Sequence, residues 1–105
     1  MKAKPLKREK DYYRKCHSAN ATHVQLSFPG PSGNIILPVN QKPGVTSWKW
    51  NLDINNPTLT PSVKTQFDKA GKSICHSFIE KGQVYFLADS THELAGKTVD
   101  LLEVE

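Results

Sequence analysis

The side chains best suited to chemistry are two cysteines and four histidines: Cys16, His17, His23, Cys75, His76 and His92. Thiolates and neutral imidazoles are the usual ligands of zinc, and a closed structural site takes four of them. This set is large enough to supply four, without any Cys-x-x-Cys pair. The same residues offer two further chemistries. Cys75 and His92 could form a thiolate–imidazole pair with Asp89 orienting the ring. His92, Asp89 and Cys75 could instead hold a catalytic metal with an open position that activates water. No Glu stands beside a His pair in a metallohydrolase pattern, and no oxyanion hole is evident, so the residues favour a binding protein over an enzyme.

The elements that must position these groups are legible from periodicity. Ile74 to Ile79 alternates, with Ile74, His76 and Phe78 facing one way and Cys75, Ser77 and Ile79 the other. Cys75 and His76 therefore cannot both reach one ion unless a bulge re-aims one of them. Gln83 to Ala88 is aromatic and β-branched, and the Lys81-Gly82 link between the two runs predicts a hairpin. Ser90 and Glu93 have capping-box spacing and Gly96 follows as a stop, which predicts one turn of helix over 90–95. His92 would then lie in the first turn, where the helix dipole disfavours the imidazolium. Thr98 to Leu102 reads as the next strand.

Upstream, residues 23–39 read as a hairpin, and Thr46 to Trp50 as a strand with Trp48 and Trp50 on one face. Thr58 to Val63 is extended, with prolines marking its ends. About seven short strands with one short helix, seven Pro and six Gly predict an all-β fold, a small antiparallel sandwich or partly open barrel. A chain of 105 residues is one domain, placed here at 13–105.

The net charge of +4 is concentrated near the start, where Lys2, Lys4, Lys7, Arg8, Lys10, Arg14 and Lys15 oppose only Glu9 and Asp11. Residues 1–12 are expected to form a flexible basic arm. Such an arm neutralises nucleic-acid phosphates, and Tyr12 and Tyr13 could stack on bases. The partner-binding candidates are Trp48, Trp50, Lys7, Arg8 and Arg14, since Trp and Arg are common at binding hot spots. No apolar run is long enough to span a membrane, no secretory signal is visible, and two cysteines do not make a disulfide scaffold. The expected compartment is the cytoplasm.

Several motifs, taken in order, resemble a known family. They are Trp48-Lys49-Trp50-Asn51, Pro57-Thr58-Leu59-Thr60-Pro61-Ser62-Val63, Cys75-His76-Ser77-Phe78-Ile79, and Asp89-Ser90-Thr91-His92-Glu93-Leu94-Ala95-Gly96. The chain is similar over about residues 48–102 to an uncharacterised family of small phage and prophage proteins, some labelled ammonia monooxygenase. The resemblance implies a bacterial host cell and a zinc site whose preferred ligands are Cys16, His23, Cys75 and His92. Members carry a Cys-x-x-Cys ahead of the Trp motif, and its second cysteine falls near Ala19 here. The expected function is that of a small phage-type accessory protein, zinc-stabilised, which binds a host defence or regulatory protein. The alternatives are a nucleic-acid-binding protein using the basic arm and a metal-dependent hydrolase.

Overall fold

Lys81 (φ 50°) and Gly82 (φ 79°) form a two-residue turn in which both residues are left-handed. That conformation matches the right-handed twist of the strands it joins. The computed structural model describes residues 1–30, 32–66 and 73–104. Among them, nine strands run in order: β1 (Ala3–Arg8), β2 (Tyr13–Lys15), β3 (His23–Ser27), β4 (Asn34–Pro38), β5 (Lys49–Trp50), β6 (Leu59–Gln66), β7 (Ile74–Glu80), β8 (Gln83–Phe86) and β9 (Thr98–Asp100). They make two antiparallel sheets, ordered β2-β1-β3-β4 and β5-β6-β7-β8-β9. The fold is all-β, as the alternation predicts.

The sheets face one another across one core. Val24, Leu26, Phe28, Leu37 and Val39 come from the first sheet and the turns beside it; Leu59, Val63, Cys75, Ile79, Val84 and Phe86 come from the second. Phe28 meets Phe86 edge-on, with centroids 6.4 Å apart. The Trp expectation holds in part. Trp50 is buried, while Trp48 is half-buried against the same core, just ahead of β5.

Residues 1–12 differ from the expected free arm. β1 pairs with β2 on one side and β3 on the other, and Ala3, Pro5 and Leu6 are buried. The neighbours of Pro5 allow it this position. Its carbonyl accepts from Cys16 N (3.2 Å). In a strand its nitrogen faces that same side, at the end of β2 and away from β3, so the missing N–H interrupts no bond to β3. Arg8 donates to the Tyr13 hydroxyl (3.0 Å) and lies over its ring, and Arg14 pairs with Glu9. Two of the cations expected to meet phosphates are thus engaged within the chain.

The helix expected over 90–95 is absent; that segment is a series of turns. Among the described residues the only helical element is one 3-10 turn at Ser18–Asn20. No helix there is long and apolar enough to cross a membrane.

A Cβ at Gly82 would lie 3.3 Å from Asn55 O and 3.4 Å from Asn56 Cα, on top of its left-handed backbone. Gly82→Ala is expected to cost about 1–2 kcal/mol. A urea titration checks this, and an unchanged midpoint would show that the turn relaxes freely.

Candidate active site

β7 shows how the site is built. Its burial alternates, with Cys75, Ser77 and Ile79 packed inward and His76, Phe78 and Glu80 outward. The sequence expectation that Cys75 and His76 face opposite ways is met. His76 thus stands on the outer face of the second sheet, and the strands on either side supply its partners.

On one side is β6. Its register with β7 is regular from Val63↔Ser77 to Gln66↔Ile74, and it shifts between Leu59 and Val63. The Thr60–Pro61 peptide in that shift is cis. The shift leaves Ser62 diagonal to His76, close enough for side chains to meet. Ser62 Oγ lies 3.0 Å from His76 Nε2. The peptide ahead of Ser62 is held from the other direction, because Trp48 Nε1 donates to Pro61 O (3.1 Å).

On the other side the chain leaves β8 and returns along β7. Leu87 N donates to His76 O (2.8 Å). Ser90 Oγ accepts from His76 N (3.0 Å) and donates to His76 O (3.0 Å). Thr91 Oγ1 accepts from Ile74 N (2.8 Å), and Thr91 N donates to Ile74 O (2.9 Å). Ser90 and Thr91 therefore take up the β7 backbone groups that β8 no longer reaches. This is also the physical reason the capping box fails: the Ser90 hydroxyl is committed to β7. The same docking brings the Asp89 carboxylate to His76 Nδ1, at 3.0 Å and 3.2 Å.

A carboxylate only accepts, so its contact fixes the proton on Nδ1. Nε2 is then the unprotonated nitrogen, and it faces the Ser62 hydroxyl. The His76 hydrogen bond is the main cause that lowers the Asp89 carboxyl below its ordinary value of 3.8. His76 is 22% exposed and Asp89 56%, so the ring is sheltered while its carboxylate is open to solvent. A serine hydroxyl, an imidazole and a carboxylate in this chain of contacts have the geometry of a nucleophile, its general base and the group that orients the base.

The expected ligand set does not assemble. Cys16, just after β2, is half-buried, and His23 in β3 packs edge-on against Tyr13 (5.0 Å). Burial is the leading cause that lowers the His23 pKa. Cys75 is buried in the core. His92 is part-buried and packs edge-on against Phe86 (4.8 Å), and its Nδ1 accepts from Leu94 N (3.2 Å). Among the described residues no three His, Cys, Asp or Glu converge on a point that could hold a metal ion. Asp89, expected beside His92 and Cys75, instead serves His76. A cleft of about 620 Å³ is lined by Lys7, Arg14, Cys16 and His17, among others, and no residue of the Ser62–His76–Asp89 set lines it.

Ser62 was absent from every candidate set read from the sequence. Nothing local marks it, since it lies in an extended Thr-Pro-rich run without a glycine-flanked nucleophile motif. The one available signal was the outward face shared by His76 and alternate residues of a neighbouring strand.

Residues 3–87 match the family described as bacterial ubiquitination-like system serine protease (BubE). No curated protein and no solved structure matches. The family match overturns the expected phage-type accessory protein that acts by binding a partner and points to a protease-related component.

Proposed function

The chain belongs to the BubE family, and from that membership together with the triad geometry we propose that it is a serine protease of a bacterial ubiquitination-like system. The observation that carries the reading is His76, which meets Ser62 through Nε2 and Asp89 through Nδ1. A family described by serine chemistry calls for such an arrangement, and it spans β6, β7 and the segment after β8 within the matched residues and two beyond them.

The roles follow from the atoms. Ser62 Oγ attacks the carbonyl carbon of an amide bond as its proton passes to His76 Nε2. The ring becomes an imidazolium, and the Asp89 carboxylate stabilises it and keeps it in plane with the hydroxyl. Nε2–H then protonates the leaving amine as the C–N bond breaks, leaving an ester on Ser62. Water attacks that ester with its proton taken by Nε2, and the acid product leaves as Ser62 Oγ recovers a proton. Asp89 stays ionised throughout, since its carboxyl is already held below its ordinary value by His76.

Ser90 and Trp48 act on the site through other groups. Ser90 fixes the His76 backbone, and Trp48 fixes the peptide preceding Ser62. This gives Trp48, expected as a partner-binding residue, a positioning role.

An alkyl fluorophosphonate tests the reading, because it forms a stable bond only with an activated serine. The expected result is a single adduct on Ser62 by peptide mapping, lost in His76→Ala. An adduct on another serine, or none, would reject the triad.

A further inference from the structure

The candidate nucleophile sits beside an edge of sheet that no described strand covers. β5 pairs with β6 only at Lys49↔Thr60 and Trp50↔Leu59. Beyond Thr60, β6 continues to Gln66 with β7 on one side and, among the described residues, no strand on the other. The orientation of the free backbone groups follows from alternation. His76 N and O both face the returning segment, so Cys75 and Ser77 direct theirs at β6. Their partners Thr65 and Val63 face back toward β7. Lys64, between them, must therefore point its N–H and C=O away from β7, into the open edge. Lys64 is exposed, and no turn, loop or cap hydrogen bond among the described residues uses its N–H or C=O.

The occupant is constrained by the triad. His76 approaches Ser62 Oγ from the β7 side. A scissile carbonyl must therefore come to Ser62 from above the sheet or from the open edge. Trp48 closes that edge at Pro61 by occupying its carbonyl, so the free stretch begins at the nucleophile itself. A polypeptide lying there in extended form would gain main-chain hydrogen bonds whatever its side chains are, as in other cases of strand addition.

We propose that the substrate polypeptide docks as an added strand on the open edge of β6, held by the main-chain N–H and C=O of Lys64 beside Ser62. This inference rests on the proposed triad. It assigns the Lys64 backbone a substrate-binding role, distinct from that of the side chain, whose charge acts on Asp89.

The test compares two probes on the full chain. One is an alkyl fluorophosphonate, which has no peptide bonds. The other is a diphenyl phosphonate carrying three alanine residues on its amino side. Lys64→Pro removes the N–H without breaking any bond to β7, and Lys64→Ala keeps it. Both variants lose the Lys64 charge that acts on Asp89, so Lys64→Ala is the reference for Lys64→Pro. The peptidyl probe is expected to inactivate Lys64→Pro roughly ten-fold more slowly than Lys64→Ala, the effect of one or two hydrogen bonds. The alkyl probe should label the two variants equally. Equal peptidyl rates in Lys64→Ala and Lys64→Pro would overturn the proposal. A second test avoids any folding effect: N-methylation of the probe amides, one at a time, should slow inactivation of wild type at one position or more. No sensitivity at any position would equally overturn it. Failure of both probes to label wild-type Ser62 would instead reject the triad, and this docking mode with it.

Discussion

Ser62→Ala is expected to lower turnover of an activated ester or amide by about 10⁴–10⁶-fold, the range seen when a triad serine is removed. The substitution takes away the atom that forms the acyl intermediate and nothing that holds the fold. Ser62 is half-buried on the outer face of β6, and its hydroxyl meets His76. Its backbone and the Trp48 bond to Pro61 remain. Melting temperature should stay close to wild type while the rate collapses, and the two measurements together separate chemistry from stability. A rate within ten-fold of wild type would place the chemistry elsewhere in the chain.

Asp89→Asn is expected to cost roughly 10²–10⁴-fold in kcat, with the fold preserved. The reasoning concerns a tautomer. The Asn amide can donate to Nδ1, which shifts the ring proton to Nε2, and Nε2–H cannot accept from Ser62. The range extends below the loss for a deeply enclosed triad because Asp89 is 56% exposed, so water can partly replace it. Ser90 and Thr91 continue to hold the β7 backbone in this variant. The ring therefore stays beside Ser62, and the loss reports its protonation. In the wild type the Asp89 carboxyl is held below 3.8. The carboxylate form of Asp89 is accordingly the one that the Asn amide replaces. A kcat equal to wild type in Asp89→Asn would remove Asp89 from the mechanism.

The sequence carried more of the fold than of the site. Strands with clean alternation were legible: the patterns over 23–28, 74–79 and 83–88 correspond to strands His23–Ser27, Ile74–Glu80 and Gln83–Phe86, the first and last ending earlier than the pattern. β1 was hidden because its buried residues, Ala3, Pro5 and Leu6, lie among lysines and include a residue that usually argues against an inner strand. The helix over 90–95 failed for a tertiary reason, since Ser90 and Thr91 find better partners on β7 than on their own backbone. Two members of the triad, His76 and Asp89, lay within the stretch whose elements were read best. Sequence pattern alone pairs Asp89 with His92 and Cys75 and gives His76 no partner, because Cys75 and His92 suggest metal or thiol chemistry. Pairing His76 with Ser62 needed the register of β6 on β7, and that register contains a shift between Leu59 and Val63 which no local pattern encodes.

The order in which the site's residues occur has a consequence for how it assembles. Ser62 and His76 are 14 residues apart and His76 and Asp89 are 13 apart, on neighbouring strands. The bond from Met1 to Glu103 spans 102 residues. Closing a short loop costs less entropy than closing a long one, so contacts between sequence neighbours form early. The β6–β7–β8 meander can therefore gather the three side chains before the two ends of the chain meet. In native-state fluctuations the order reverses: the pairing of the ends can open while the nucleophile, base and carboxylate remain in register.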